Sequence, residues 1–466
     1  MTGTSADMRQ ADERFALRWR VLALLGIAQF MLILDVTVVA IALPQLAADL
    51  DLSRGALTWV VSAYTLTFGG LLLLGGRSAD LFGSPMIVLI GLAVFTAASL
   101  LTGLAVTPEM LIGGRVAQGI GAALLSPAAL SVVVKTFEGD ERNRALGIWS
   151  ALAGGGAAVG VLVGGLLTAA SGWQWIFYVN VPIGLFVFLA LSRMLPNDRP
   201  VNRQARLDVP GALLVTAGTA AGVYGVITAG EPGLIAVKPL IWIAVALLLY
   251  VAFVLWQRTN KNPLLDLTIL TRRSVAAGTF LILIATALMI SVFFLGSFYL
   301  QHYRQYGPLI TGLLFLPVAL GTIIGAQVAG RTIGPLGSRT VAVVGLVLTA
   351  LGTAVPALRE ETAGLLLGIS VAGLGIGAVY VAASTTTLSQ VEHYEAGLAS
   401  GILSTFHEFG AAFGVAITSS LAVASLAGTT TTGFTRAFTV AAVAALISAL
   451  VSFIAVPATR TAQGGR

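Results

Sequence analysis

The chain has 466 residues, of which 57% are hydrophobic and only 10% are charged, and its mean hydropathy is +0.94. Such a chain is too apolar and too poor in charge for a water-soluble globule, so the composition indicates an integral membrane protein. The net charge of +6 is small for this length. We therefore expect a lipid bilayer as partner and no nucleic acid.

Long unbroken apolar runs indicate that helices cross the membrane. A helix needs about 20 apolar residues to cross roughly 30 Å of hydrocarbon, and in lipid only helices or closed barrels satisfy every backbone polar group. We therefore predict an all-α integral membrane fold with 14 transmembrane helices, at 21–43, 57–76, 85–104, 110–134, 145–170, 175–193, 209–229, 239–257, 275–300, 309–329, 340–357, 362–388, 396–425 and 435–456.

The distribution of basic residues predicts the orientation. Loops on the N-terminal side hold 20 of the 26 Lys and Arg residues, the opposite loops hold five, and Arg115 lies inside span four. Cytoplasmic loops are enriched in Lys and Arg, so both termini are expected in the cytoplasm. The first run has no small-x-small cleavage pattern and should stay in the mature protein. Abundant Ala and Gly, with far more Arg than Lys, favour a GC-rich bacterium, so we expect a multi-pass protein of the bacterial inner (cell) membrane.

In span one, the stretch MLILDVTVVAIALPQL (31–46) places Asp35 in an otherwise apolar run. A carboxylate near the bilayer interior costs about 2.5 to 3.5 kcal/mol, so Asp35 should face the bundle interior and be paired or protonatable. At 1.5 Å per residue Asp35 lies about 12 Å, and Arg115 of span four about 8 Å, below the same membrane edge. Their depths allow a meeting, either as a structural ion pair or as a site that loads and releases a proton.

An internal repeat organises the chain. ALGIWSALAGGGAAVGV (145–161) and ASGILSTFHEFGAAFGV (399–415) match at nine of seventeen positions with an offset of 254, and the same offset aligns GGRSADLFGS (75–84) with AGRTIGPLGS (329–338). This displacement predicts a 6 + 2 + 6 arrangement with two pseudo-symmetric halves, as in transporters that enclose a site near the midplane. The predicted units are a cytoplasmic N-terminal segment, an N-terminal half, an inserted two-helix region, a C-terminal half and a cytoplasmic tail, at 1–20, 21–195, 196–272, 273–456 and 457–466.

Five ordered motifs resemble those of the major facilitator superfamily, specifically its fourteen-span drug:proton antiporters of the multidrug and quaternary-ammonium efflux type. They are LDVTVVAIALP, GGRSADLFGS, RVAQGIGAALLSPAAL, GAAVGVLVGG and WQWIFYVNVPIG, at 34–44, 75–84, 115–130, 156–165 and 173–184. The resemblance implies a major facilitator fold and a role for Arg115 in proton coupling.

The resemblance also implies gating and packing residues. Arg77, Asp80 and Gly83 belong to the loop motif between spans two and three, although here Arg77 is its only cation. Small residues on span five are expected to let helices pack closely and slide, even though Val161 stands where the family motif usually has proline. These packing positions are Gly156, Gly160, Gly164 and Gly165.

A second intramembrane acid, Glu408, lies on span thirteen about 18 Å from its cytoplasmic end, near the midplane. With Asp35 it gives one acid to each half, where a lipophilic cation and an exchanging proton would compete. Alternatives for Glu408 are a structural hydrogen bond or misplaced span boundaries. His407 is interpreted as a packed polar side chain or as a proton relay. Aromatic residues expected near the cavity, where they could stack on a cationic substrate, are Phe30, Trp59, Tyr64, Phe294, Phe298, Tyr380 and Phe406.

The predicted function is proton-coupled antiport that exports hydrophobic, cationic drugs or toxic compounds by alternating access. Alternatives are a dedicated exporter of one endogenous metabolite or lipid-like product and, less favoured, a proton-symport importer. No nucleotide-binding motif is found, so a proton gradient is the expected energy source. The chain has no cysteine and three scattered histidines, so no metal site and no cofactor are expected, and no enzyme activity is expected.

Overall fold

The computed structural model describes residues 3–195, 207–229, 236–358, 361–389, 391, 396–422 and 432–458. The start of the predicted inserted region, 196–206, and the predicted tail from residue 459 onward lie outside the described residues.

The described chain is helical, and each long helix corresponds to one predicted run. In chain order they are α1 (Gly3–Asp49), α2 (Arg54–Phe82), α3 (Ser84–Gly103), α4 (Pro108–Thr136), α5 (Gly139–Ser171), α6 (Trp175–Met194, interrupted at Val179), α7 (Val209–Thr228), α8 (Val237–Thr259), α9 (Arg273–Phe298), α10 (Pro308–Leu336), α11 (Ser338–Leu358), α12 (Thr362–Leu388), α13 (Ala396–Leu421) and α14 (Thr432–Ala455). A short helix, Leu267–Thr271, precedes α9, and a π-helical turn, Tyr299–Tyr303, follows it.

Within the described residues, twelve of these helices are long and apolar enough to cross a membrane. Of the other two, α5 contributes the shorter apolar segment Leu162–Ser171, and α13 is less apolar. Polar residues explain the lower hydropathy of α13, because His407 and Glu408 stand in its middle. The chain therefore has the helices of a multi-pass membrane protein.

The first helix differs from the prediction at both ends. The predicted span is 21–43, but α1 is continuous from Gly3 to Asp49 and runs through Pro44. Proline lacks a backbone N–H and disturbs the preceding turn. The side chain of Gln301 donates a hydrogen bond to the carbonyl of Ile41 at 2.7 Å, which supports the helix backbone just before Pro44.

Helix contacts repeat with a displacement of eight helices. In the first half, α1 packs on α5, α2 on α4, and α3 on α4 and α6; in the second, α9 packs on α13, α10 on α12, and α11 on α12 and α14. The contacts between the halves follow the same displacement, because α2 packs on α13 and α5 packs on α10. The 254-residue sequence repeat thus recurs in the packing of the helices.

Glycines at equivalent positions explain why both halves adopt the same local geometry. Gly83 and Gly337 end α2 and α10 with φ of +96° and +80°, a region that side chains with a Cβ rarely adopt. Gly160 and Gly414 mark close helix contacts, since a Cβ would lie 1.9 Å from Thr37 Oγ1 on α1 and 2.5 Å from the Ala287 carbonyl oxygen on α9.

Helices α7 and α8 differ in the helices that they contact. α7 packs on both α2 and α13, whereas α8 packs on α7. Arg54 of α2 donates to the Ile227 carbonyl at 3.1 Å, and Ser420 of α13 donates to the Val226 carbonyl at 3.0 Å. The last turn of α7 is therefore bonded to both halves.

Buried apolar side chains form a joint core at one end of the bundle and separate cores at the other. The cluster at the end that holds the α1–α2 loop combines residues of both halves, among them Ile41, Phe177 and Phe315. Toward the N-terminus, one cluster contains only α1–α6 residues and another only α9–α14 residues. The halves are thus joined through a common core at the α1–α2 loop end.

Candidate functional site

Asp35 and Arg115 form a buried ion pair between α1 and α4. Arg115 Nη1 donates to Asp35 Oδ2, and each residue is only 1% exposed. Arg115 Nε also donates to the carbonyl of Val60 on α2 at 3.0 Å. The structure thus pairs the two charged residues that the sequence places at similar depths. Through Arg115 the network links α1, α2 and α4.

Neutral polar side chains complete this network. Gln118 Nε2 donates to Asp35 Oδ1 at 3.0 Å and to Ser99 Oγ at 2.9 Å, while its Oε1 accepts from Arg115 at 2.9 Å. Asn180 Nδ2 donates to the same Asp35 Oδ1 at 3.3 Å. Sequence reasoning missed these three residues. Gln118 carried a signal, since it lies one helical turn after Arg115.

Tyr64 lies beneath the arginine. The guanidinium carbon of Arg115 is 4.3 Å from the centroid of the Tyr64 ring, a distance at which a desolvated cation-π contact contributes up to about 2 kcal/mol. The Tyr64 side chain is fully buried, and among the described residues its hydroxyl has no hydrogen-bond partner. Tyr64 therefore contacts the protein's own cation at this point.

Glu408 lies where α13 meets α2. A Cβ on Gly69 of α2 would stand 2.6 Å from Glu408 Cβ, so this glycine permits the close approach. Glu408 is 7% exposed, and its Oε2 is buried without a hydrogen-bond partner in the described part of the chain. An unpaired buried carboxylate is costly, so it requires a proton or a cationic partner.

His407 is bonded on the other side of α13. Its Nδ1 lies 2.9 Å from Thr286 Oγ1 of α9 and shares a hydrogen bond with it. The Tyr380 ring of α12 lies 5.8 Å from the His407 ring, centroid to centroid. Neighbouring residues of one helix thus face different helices, His407 toward α9 and α12 and Glu408 toward α2.

The remaining predicted aromatic residues lie at separate places in the bundle and do not surround one site. Phe30 borders the contact of α1 with α5, and Trp59 packs in a cluster formed by α2, α7 and α13. Phe294 and Phe298 are buried in the joint core, with ring centroids 5.1 Å apart. Phe406 packs against the core of the second half. Of the predicted aromatic set, Tyr64 is the residue that contacts the ion pair.

The predicted gating residues occupy the end of α2 and one face of α5. Arg77 and Asp80 are exposed, and neither is among the ion-paired side chains of the described residues. The glycines on α5 are packing residues, because a Cβ on any of them would crowd a neighbouring helix, α1 for the first three and α10 for the last: Gly156, Gly160, Gly164 and Gly165.

An ion pair buried in an apolar helical bundle marks a candidate functional site of a membrane protein. A family model described as Major Facilitator Superfamily matches residues 25–414 and, in a second match, residues 276–466. The chain belongs to the major facilitator superfamily. It is therefore a multi-pass membrane protein of a transporter family, which points away from an enzyme.

Similar proteins include named resistance and export proteins. The puromycin resistance protein pur8 of Streptomyces alboniger is 39% identical over 436 residues, which cover 91% of this chain and 85% of that protein. The cephamycin export protein CmcT of Amycolatopsis lactamdurans is 38% identical, covering 84% and 82%. The multidrug resistance protein Stp of Mycobacterium tuberculosis H37Rv is 33% identical, covering 87% and 76%.

A solved structure shares the fold. A bacterial homolog of the human lysosomal transporter Spinster, in an inward-facing and unoccupied conformation, superimposes with a TM-score of 0.67 at 15% identity and covers 94% of this chain and 97% of its own. A peptide transporter, POT, in complex with sulfate gives a TM-score of 0.66 at 17% identity, covering 93% of each chain.

Proposed function

We propose that this chain is a proton-coupled antiporter that exports hydrophobic, cationic drugs or toxic compounds by alternating access. The proposal includes fourteen spans arranged as 6 + 2 + 6, both termini in the cytoplasm, location in the bacterial inner membrane, and the proton gradient as energy source without a cofactor. The names of the relatives support drug export, and the repeated helix contacts support the arrangement of the halves.

The observation that carries the proposal is the contrast between two buried carboxylates. Asp35 is paired with Arg115, whereas one oxygen of Glu408 is buried and lacks a partner among the described residues. A carboxylate paired in one conformation and hydrated in another can bind and release a proton. An unpaired carboxylate at the contact of two halves suits a lipophilic cation or a proton. In this proposal Asp35 couples transport to proton movement, and Glu408 binds the cationic substrate.

The joint core at the α1–α2 loop end supports a conformation closed on that side. With the termini in the cytoplasm, this end is the outer one, so the proposed state is inward-facing. The close glycine contacts of α5 with α1 and of α13 with α9 provide small-residue surfaces on which these helices slide during the transition.

The test uses inside-out vesicles, an imposed proton gradient and ethidium as a lipophilic cation. Wild type should accumulate ethidium uphill, and Asp35→Asn should abolish this uptake, because an amide cannot exchange the coupling proton. Asp266→Asn is the matched control, since Asp266 is an exposed carboxylate outside the spans. Uphill uptake that persists in correctly inserted Asp35→Asn would remove Asp35 from the coupling site.

A second candidate is the dedicated export of one product of the cell's own metabolism. The relative named as a cephamycin export protein favours it, and the Asp35 site serves either function. A competition assay with ethidium distinguishes multidrug export from the export of one dedicated substrate. If ethidium uptake is inhibited by several unrelated lipophilic cations, export is multispecific; if none competes, a single dedicated substrate is favoured.

A further inference from the structure

The motif WQWIFYVNVPIG (173–184) has no role in the function proposed above. It forms the first part of α6, which is interrupted at Val179. Pro182 stands in the first turn of the resumed helix, where a missing N–H costs no helical hydrogen bond. Gly184 permits the close approach of α6 to α3, since a Cβ there would lie 2.1 Å from Thr96 Oγ1. The motif thus fixes α6 close to the ion pair.

Two residues of this motif contact the ion pair, one on each partner. The Phe177 ring centroid lies 5.9 Å from the guanidinium carbon of Arg115. Asn180 Nδ2 lies 3.3 Å from Asp35 Oδ1 and 3.5 Å from Ser99 Oγ. Phe177 and Asn180 are three residues apart with helical backbone at Val179 between them, so they share one face. Both are buried.

The charges around Asp35 come from other helices. Arg115 faces it from α4, and Tyr64 of α2 lies against the Arg115 guanidinium. Glu408 of α13 approaches α2 at Gly69, where a Cβ would lie 2.6 Å from Glu408 Cβ. α3 contributes the neutral Ser99 and α6 the neutral Asn180. The Asn180 amide is therefore a neutral donor to an Asp35 oxygen that Arg115 does not engage.

We infer that Asn180 is a positioning residue that sets the pH at which Asp35 exchanges its proton. A hydrogen bond donated to a carboxylate favours its ionised form. Asn180 donates to Oδ1 from a helix other than those that carry Arg115 and Gln118, so it adds an independent stabilisation of the charged state. The inference rests on the proposed function, in which Asp35 carries the coupling proton.

The test follows the protonated carboxyl directly by infrared spectroscopy of the full-length protein in lipid. The carbonyl band that disappears in Asp35→Asn is assigned to Asp35 and titrated against pH. In Asn180→Leu, which keeps the branched shape but removes the donor, the midpoint should move upward by about one pH unit, a ten-fold change in the proton dissociation constant. The pH profile of ethidium uptake in inside-out vesicles should move in the same direction.

Thr353→Val is the control, because Thr353 is fully buried and its hydroxyl donates to carbonyls of its own helix. In this variant the midpoint of the Asp35 titration should equal that of wild type. Asn180→Ala repeats the measurement if Asn180→Leu does not fold. An unchanged midpoint in the folded variant, with the Asp35 band still visible, overturns the role of Asn180. Unaltered uphill uptake in Asp35→Asn would instead refute the proposed function, while the band titration still decides whether Asn180 acts on Asp35.

Discussion

Asp35 and Glu408 are both buried carboxylates, but their surroundings differ. Asp35 accepts hydrogen bonds from Arg115, Gln118 and Asn180, so its charge is compensated by the protein itself. Glu408 Oε2 is buried without such a donor among the described residues. At the first site, hydrogen bonds within the protein therefore compensate the cost of burying the Asp35 charge. At the second site, a proton or a ligand is needed to compensate the cost of burying Glu408.

Replacement of Glu408 by glutamine tests its role as a cation partner. If Glu408 neutralises a bound cation, Glu408→Gln should weaken equilibrium binding of ethidium by about ten-fold or more, roughly 1.4 kcal/mol, and binding of neutral chloramphenicol by less. The physical reason is the loss of one charge partner in a low-dielectric site. Binding of both compounds to purified protein across pH is the measurement.

The control is Glu109→Gln, which alters an exposed carboxylate at the start of α4. A role restricted to the proton would instead remove the pH dependence of transport for both compounds, with little change in binding at high pH. Equal losses for both compounds together with a large drop in melting temperature would show that Glu408 is structural.

Residue positions along a helix were predictable from the sequence, but side-chain directions were not. The depths of Asp35 and Arg115 follow from a fixed rise per residue, and the structure pairs them. The direction in which a side chain points depends on how each helix is rotated against its neighbours. Trp59 accordingly packs beside α7, and Phe294 lies in the joint core rather than beside Glu408. Asn180 was missed, because the sequence does not show that α6 turns this side chain toward Asp35.

At the scale of the helices, Asp208 holds α7 and α8 together. Its carboxylate caps α7 by accepting from Gly211 N at 3.0 Å, and it accepts from Trp256 Nε1 at 2.7 Å and Gln257 Nε2 at 2.5 Å of α8 and from Leu264 N at 3.0 Å in the following loop. Burial raises the pKa of Asp208, but these four hydrogen bonds outweigh it and leave the pKa below its ordinary value.

Replacement of Asp208 by alanine should lower the melting temperature, since hydrogen bonds to a charged group contribute about 1.5 to 3 kcal/mol. A carboxylate whose pKa is lowered by folding stabilises above its unfolded pKa of about 3.9, and this contribution is lost as the pH falls through the folded value. The difference between wild type and Asp208→Ala should therefore be full at neutral pH and shrink below about pH 4.

Melting curves in detergent across pH measure this difference. Asp266→Ala is the control, because Asp266 caps only the short helix Leu267–Thr271 and is exposed, so its effect should be smaller. A difference for Asp208→Ala that is independent of pH would show that the charge of Asp208 does not stabilise the contact between α7 and α8.

At the scale of the whole molecule, the proposed transport cycle requires the halves to separate at the α1–α2 loop end. There Thr58 Oγ1 of α2 and Ser419 Oγ of α13 lie 2.7 Å apart. Because the chain has no cysteine, the double variant Thr58→Cys, Ser419→Cys offers one pair for a short thiol cross-linker. Cross-linking should abolish ethidium uptake in vesicles, and cleavage of the linker should restore it.

The matched control is Ser84→Cys with Ser131→Cys, whose hydroxyl oxygens are 2.9 Å apart on α3 and α4 of the same half. Cross-linking this pair should leave uptake nearly unchanged, because neither residue crosses between the halves. Full uptake with the Thr58 and Ser419 positions linked would contradict separation at this end.

The placement of α7 makes the two contacts between the halves mechanically unequal, although the repeat relates them. At the α2–α13 contact, Thr58 binds Ser419 and the last turn of α7 accepts hydrogen bonds from both helices. At the α5–α10 contact, Gly165 lies against the backbone at Pro308 and Leu309. These hydrogen bonds resist opening on the α7 side of the molecule, so we expect the rotation axis to lie nearer α7 and the halves to part as a hinge, with the larger displacement at α5 and α10.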